Sequence, residues 1–163
     1  MQNTTLALLN LPAPYPPAYY PNLISTYSSK NGLFYYASSS RHITIIDVKK
    51  LKYNIVACAA DIQFLVNDDL NNHLFAWVAG GSINATISQL VLVNSSNGKT
   101  SPSVFDTAVK VYPTATVVVG NRLVAALSNS DFVSIDTASF KYYYTKGPID
   151  PIYTNITALS ALI

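Results

Sequence analysis

Catalysis or metal binding needs a nucleophile, a titrating base or a set of ligands at fixed spacing. This chain of 163 residues has two His, one Cys, eight Asp and no Glu. His42 and His73 both fall at turns or strand starts, and neither has a Cys, His or Glu at metal-ligand spacing. Ser40, His42 and Asp47 supply the residue types of a triad, but Ser and His two apart in one hairpin do not reach triad geometry. Cys58 lies in the apolar run Ile55–Ala60 and reads as a small buried hydrophobe; being single, it excludes an intrachain disulfide. Asn67-Asp-Asp-Leu-Asn-Asn72 is the densest cluster of oxygen ligands. It lacks the order and terminal Glu of a calcium-binding loop and reads as an Asx-rich turn between strands. No phosphate loop or nucleophile elbow is present, and Gly80-Gly81 is a turn or bulge signal. The expectation is a protein that is not an enzyme and carries no catalytic residue, metal or cofactor.

The remaining chemistry is that of surfaces. Four glycosylation sequons occur, at Asn3, Asn84, Asn94 and Asn155, and Asn84 and Asn94 flank a hairpin expected to be exposed. Aromatic side chains gather in Phe34-Tyr35-Tyr36, at Trp77 and in Tyr142-Tyr143-Tyr144. In an alternating strand half of these face a core, and the other half face solvent or a partner. Packing between sheets, with some tyrosines at interfaces, is the expected role, and a sugar-binding platform is the other reading. Tyr15, Tyr19, Tyr20, Tyr142, Tyr143 and Tyr144 are the interface candidates.

What positions these residues follows from the composition. Half the residues are hydrophobic, while charged residues are 11%, well below the roughly 25% of an ordinary soluble protein. Asn, Ser and Thr together number 44, so the surface is wetted by groups that do not titrate. Without Glu there is little first-turn charge or i,i+4 pairing for exposed helices, which argues for strands. The net charge of +2 has no basic block, so nothing resembles a nucleic-acid footprint. Every apolar run falls short of the roughly 18 residues of a membrane helix, and the N-terminus has no basic n-region. The chain is therefore expected to stay inside the cell or to leave by another route, for example within a virion.

Residues 1–21 form a Pro/Tyr-rich arm with five prolines between Pro12 and Pro21, expected to be extended. It reads either as a strap across a neighbouring subunit or as a linker packed on its own domain. Residues 22–150 alternate Val/Ile/Tyr/Thr/Phe runs with Asn/Asp/Gly/Ser turns and show no sustained helical period. Within them Asn31-Gly-Leu, Asn72-His-Leu and Asn121-Arg-Leu each open an apolar strand. Asp47, Asn94 and Asp136 each close a later strand, with Lys52, Lys99 and Lys141 five residues on. A strand precedes each unit (Leu23–Tyr27, Ile62–Val66, Thr116–Val119) and a fourth follows it (Tyr53–Ala57, Ala108–Tyr112, Lys141–Thr145). Four strands in about 40–50 residues is the period of a propeller blade. Residues 151–163 add a last strand, expected to pair with a neighbouring blade or subunit. The expected fold is all-β, a propeller-like array of about three four-stranded antiparallel blades, with a β-sandwich as the alternative.

Ile43-Thr-Ile-Ile-Asp47 and Phe132-Val-Ser-Ile-Asp136, each followed by a short turn and Lys, resemble the YVTN-type repeat of bacterial and archaeal surface propellers. The middle unit departs from it in Asn94 and in the insertion around residues 80–86. In composition the chain is similar to virion and surface proteins of acidophilic archaea, including spindle-shaped viruses. The fold implies no activity of its own. Three blades fall short of a closed ring, which points to a homo-oligomer or to other structural proteins of the same assembly as partners. The expected role is a structural or attachment subunit of an extracellular assembly, such as a viral tail, nozzle or spike. A carbohydrate-binding module that holds a cell-surface glycan is the alternative. Few carboxylates also means few ion pairs to lose in acid, so stability is expected to hold between pH 6 and roughly 3.

Overall fold

The computed structural model describes residues 24–79, 88–107, 111–127 and 131–146. The arm at 1–21, the strand expected at 151–163, Asn3, Asn84, Asn155, Tyr15, Tyr19 and Tyr20 lie outside them. The described residues form twelve strands and no helix.

The strands make three four-stranded antiparallel sheets, each wound in simple chain order. The first holds β1 (Ser25–Ser28), β2 (Leu33–Ser39), β3 (His42–Asp47) and β4 (Lys52–Ala57). The second holds β5 (Ile62–Asp68), β6 (His73–Ala79), β7 (Ser88–Leu92) and β8 (Phe105–Thr107). The third holds β9 (Val111–Val119), β10 (Arg122–Leu127), β11 (Phe132–Asp136) and β12 (Tyr142–Thr145). Their first strands, β1, β5 and β9, lie side by side in that order. Three meanders joined along their first strands are the layout of successive blades.

Alternation explains why the sheets stack. In β6, Leu74, Ala76 and Val78 enter a core shared with the first blade, which includes Tyr35, Ile43, Ile45 and Val56. The intervening Phe75 and Trp77 enter a second core with Leu123, Ala125, Val133 and Ile135 of the third blade. The middle blade is apolar on both faces because both are covered, as period-2 side-chain direction requires. Cys58 is buried in the first core, where loss of hydration pushes its thiol pKa up.

Two sequence expectations are corrected. The outer strand of the second blade is Phe105–Thr107, not Ala108–Tyr112, and Val111 and Tyr112 belong to the long strand β9. Phe105 claims that position because its ring packs edge-on against Trp77, with centroids 6.1 Å apart. The Asn-x-Leu alignment also slips by one in the first unit. Ser28 pairs with Leu33 as Asp68 pairs with His73, so Leu33 matches His73 and Arg122 rather than Leu74 and Leu123. A slip of one moves a residue to the opposite face of its sheet. Leu33 accordingly packs toward the second blade, while Leu74 packs toward the first.

Candidate functional site

The repeat signature is a turn-capping device. Asp47 Oδ1 accepts the N–H groups of Lys49 (3.1 Å) and Lys50 (2.9 Å), Asn94 Oδ1 that of Ser96 (2.9 Å), and Asp136 Oδ1 those of Ala138 (3.1 Å) and Ser139 (2.8 Å). Asx side chains favour these positions because they satisfy the backbone donors of a tight turn. Four residues on, each turn passes through the left-handed region, at Leu51 (φ 52°), Gly98 (φ 73°) and Phe140 (φ 59°). The amides of Gly98 and Phe140 donate back to the carbonyls of Asn94 and Asp136, both at 2.8 Å. Lys52, Lys99 and Lys141 come next, where the chain returns. The Lys50 ammonium lowers the Asp47 pKa, and backbone and hydroxyl donation from Ser139 lowers that of Asp136.

The stretch Asn67–Asn72 joins the blades. Asp69 Oδ1 accepts from Ser28 Oγ (2.7 Å) and Asn67 Nδ2 (2.7 Å), and its Oδ2 accepts from the N–H (2.9 Å) and hydroxyl of Ser29. Burial works against its charge, but these donors outweigh it and hold the Asp69 pKa down to about 2. Asp68, fully buried, accepts from the backbone of Leu70 (2.9 Å) and from Asn71 Nδ2 (2.9 Å). Asn71 Nδ2 also reaches Thr137 Oγ1 in the third blade at 2.9 Å, and His73 Nδ1 lies 3.1 Å from the Thr137 carbonyl. Asn31 Nδ2 donates to Asn72 Oδ1. The carboxylate oxygens of Asp68 and Asp69 and the amide oxygen of Asn72, which could have ligated a cation, accept from donors of the first and second blades, while Asn71 donates to the third. Sequence spacing could not show this, because Ser28, Ser29 and Thr137 lie 40 to 66 residues from their partners.

A cleft of about 500 Å³ opens beside this latch, lined by Asn72, His73, Asn94, Ser95, Lys99 and Ser101. Its walls combine amides, hydroxyls, an imidazole and one ammonium with the apolar side chains of Leu74, Leu92 and Val93. Asn94 is exposed at its rim, so the described sequon is accessible. At the other end of β3, His42 Nδ1 lies 2.8 Å from Ser39 Oγ, whereas Asp47 caps its own turn at the far end of that strand. Ser40, His42 and Asp47 therefore do not assemble. Among the described residues no group of three His, Cys, Asp or Glu is placed to hold a metal ion.

The tyrosines of β12 are all more than half exposed and divide between the two faces of their sheet. Tyr142 and Tyr144 lie on the side of the second blade, their centroids 4.9 and 5.9 Å from that of Phe105. Burial pushes the Tyr144 pKa up. Tyr143 faces the other way, with the Arg122 guanidinium 5.3 Å from its ring centroid.

Solved structures share this architecture. AztD of Citrobacter koseri superposes with a TM-score of 0.52 at 15% identity, over 71% of this chain and 32% of that one. The WD40 repeats of RRP9 superpose with a TM-score of 0.54 at 8% identity, over 78% of this chain and 40% of that one. The β-propeller domain of Myceliophteria thermophila Cps50 (Swd1) gives 0.51 at 12% identity, over 76% and 36%. The fold is propeller-like. At these identities the likeness concerns fold alone, and the aligned part of the chain spans about a third to two fifths of each of these structures. No family model matches the chain. No curated protein matches it either.

Proposed function

We propose that the chain is a non-enzymatic structural or attachment subunit of an extracellular assembly, of the kind that builds a viral tail, nozzle or spike. The observation that carries this reading is a group of exposed apolar side chains near each end of the described blades. Tyr53 and Ile55 on the outer strand of the first blade and Val119 and Tyr143 on the third are all exposed, though each belongs to a face that elsewhere in the repeat packs against a neighbour. Grouped exposed apolar side chains mark sites of association. Asx and hydroxyl groups saturate one another along the turns that join the blades, which suits a rigid building unit. The resemblance of the Asp47 and Asp136 strands to YVTN-type surface repeats, and the low-charge composition, support an exterior setting. The test is electron microscopy of particles released from the source cells, with antibody to this chain. Antibody on the particle surface supports the reading, and antibody on no released particle contradicts it.

The outer tyrosines favour a second reading, a carbohydrate-binding module. Tyr142 stands edge to face with the buried Phe105 and with Tyr144, and both tyrosines leave about half of their own surface open, where a sugar could stack. A glycan array decides this: binding that falls at least tenfold in Tyr142→Ala and Tyr144→Ala supports it, and no binding removes it.

A further inference from the structure

The first blade turns one face to the second blade and one away from it, and the pairing register separates the two. Tyr35 pairs with Ile45, and both lie in the core shared with the second blade. The alternate positions point the other way. There Tyr36 pairs with Thr44 and Thr44 with Ile55, while Phe34 pairs with Tyr27 and Ile46 with Tyr53. This outer face is closed at its centre and open at its edges. Tyr36 is 6% exposed and Thr44 0%, yet Tyr36 belongs to neither core of described residues. Ile55, directly opposite Thr44 on the outer strand, is 42% exposed, and Tyr27 and Tyr53 are about half exposed. On the other face the second blade, a full sheet, buries Val56 of that same outer strand. The outer face is therefore covered by a narrow strip, the width of one extended chain lying over two strands about 4.8 Å apart.

We propose that the Pro/Tyr-rich arm, residues 1–21, lies across β2 and β3 of its own chain and is the strip over Tyr36 and Thr44. The arm runs into β1, the first strand of this same sheet. The other long stretch outside the described residues, 147–163, follows β12 two blades away. Pro12, Pro14, Pro16, Pro17 and Pro21 favour polyproline II at about 3.1 Å per residue. Residues 12–21 then span roughly 30 Å, more than the roughly 10 Å that separates β1 from β3. The face presents Tyr27, Phe34, Tyr36 and Tyr53, and aromatic surfaces are what proline-rich segments dock on. Thr44 Oγ1 has no partner among the described residues, and a proline-rich strip brings carbonyl acceptors with few N–H donors of its own to bury. A first blade capped in this way needs no second copy over its centre, and it leaves Tyr53 and Ile55 to the association proposed above.

Hydroxyl-radical footprinting of the chain with and without residues 1–21 tests this, with Trp77 fluorescence as the check that the blades stay folded. Tyr36 is expected to react several-fold more slowly than Tyr53 in the full chain, and to approach the Tyr53 rate once the arm is removed. Tyr36 that stays protected without the arm overturns the proposal, as does Tyr36 that becomes reactive when 147–163 is removed instead. A second measurement keeps the full chain. With photoreactive p-benzoylphenylalanine in place of Ile55, irradiation is expected to join the outer strand to a peptide within 1–21, in a product with the mass of one chain. Attachment to another segment, attachment to a second copy or no attachment overturns the proposal.

Discussion

The carbonyl oxygen of Ala57, on the outer strand of the first blade, stands 2.1 Å from where a Cβ on Gly98 would lie. The capped turn of the second blade therefore seats directly on the backbone of the first, and backbone cannot rotate aside as a side chain can. Gly98 also has φ +73°, a conformation that costs an L-residue roughly 1–2 kcal/mol. Gly120 has a similar φ of +58°, but nothing lies within 4 Å of its added Cβ. Gly98→Ala is expected to destabilise by about 3 kcal/mol or more, and Gly120→Ala by about 1 kcal/mol. Equal losses in urea titrations of the two variants would show that the turn is not seated in this way.

Leu51 provides the opposite sign. It occupies the same turn position as Gly98, with φ 52°, and its side chain is about half exposed. Leu51→Gly removes left-handed strain and little packing, so a gain of about 0.5–1 kcal/mol is expected. A loss in the thermal midpoint would contradict the strain assigned there.

Asp69 makes the latch between blades pH-dependent in a defined window. Its folded pKa of about 2 lies below the roughly 3.9 of an unfolded Asp, so its contribution is complete above about pH 4 and is lost as pH falls through 2. Asp61, held low by the Arg41 guanidinium at 2.8 Å, shifts in the same direction, as do Asp47 and Asp136. The thermal midpoint is expected to stay level from pH 7 to about 4 and then decline toward pH 2. Asp69→Ala should cost roughly 1–3 kcal/mol at pH 7 and flatten the decline below pH 4. A midpoint that drops between pH 6 and 4 in the native chain would contradict this assignment.

Repeat period, strand class and the Asp/Asn-to-Lys spacing were legible in the sequence because each is a local pattern in which alternation and turn chemistry agree. The one-residue slip at Leu33 was not, since Asn31-Gly-Leu33 and Asn72-His-Leu74 look alike locally and only pairing across the sheet separates them. The short strand at Phe105 was hidden for a related reason. Its register is set by a ring contact with Trp77, two strands earlier in the same blade, rather than by the pattern of its own short run. The acidic stretch at Asn67–Asn72 was recognisable as a turn, but its role in joining blades depends on Ser28, Ser29 and Thr137 from other repeats.

Trp77, the single tryptophan, reports on the core between the second and third blades. Phe75, fully buried beside it, is expected to cost about 3–5 kcal/mol when replaced by alanine. The loss should appear equally in Trp77 fluorescence and in far-ultraviolet circular dichroism if the blades unfold as one unit. Separated transitions would mean that the first blade melts independently.

The central claim is that three four-stranded blades pack face to face along β1, β5 and β9 and are latched by the stretch Asn67–Asn72. A crystal structure of the purified chain tests it most directly. It is expected to show Asp69 bonded to Ser28 and Ser29 and Asn71 bonded to Thr137 across successive blades; two sheets packed as a sandwich, with those residues apart, would contradict it.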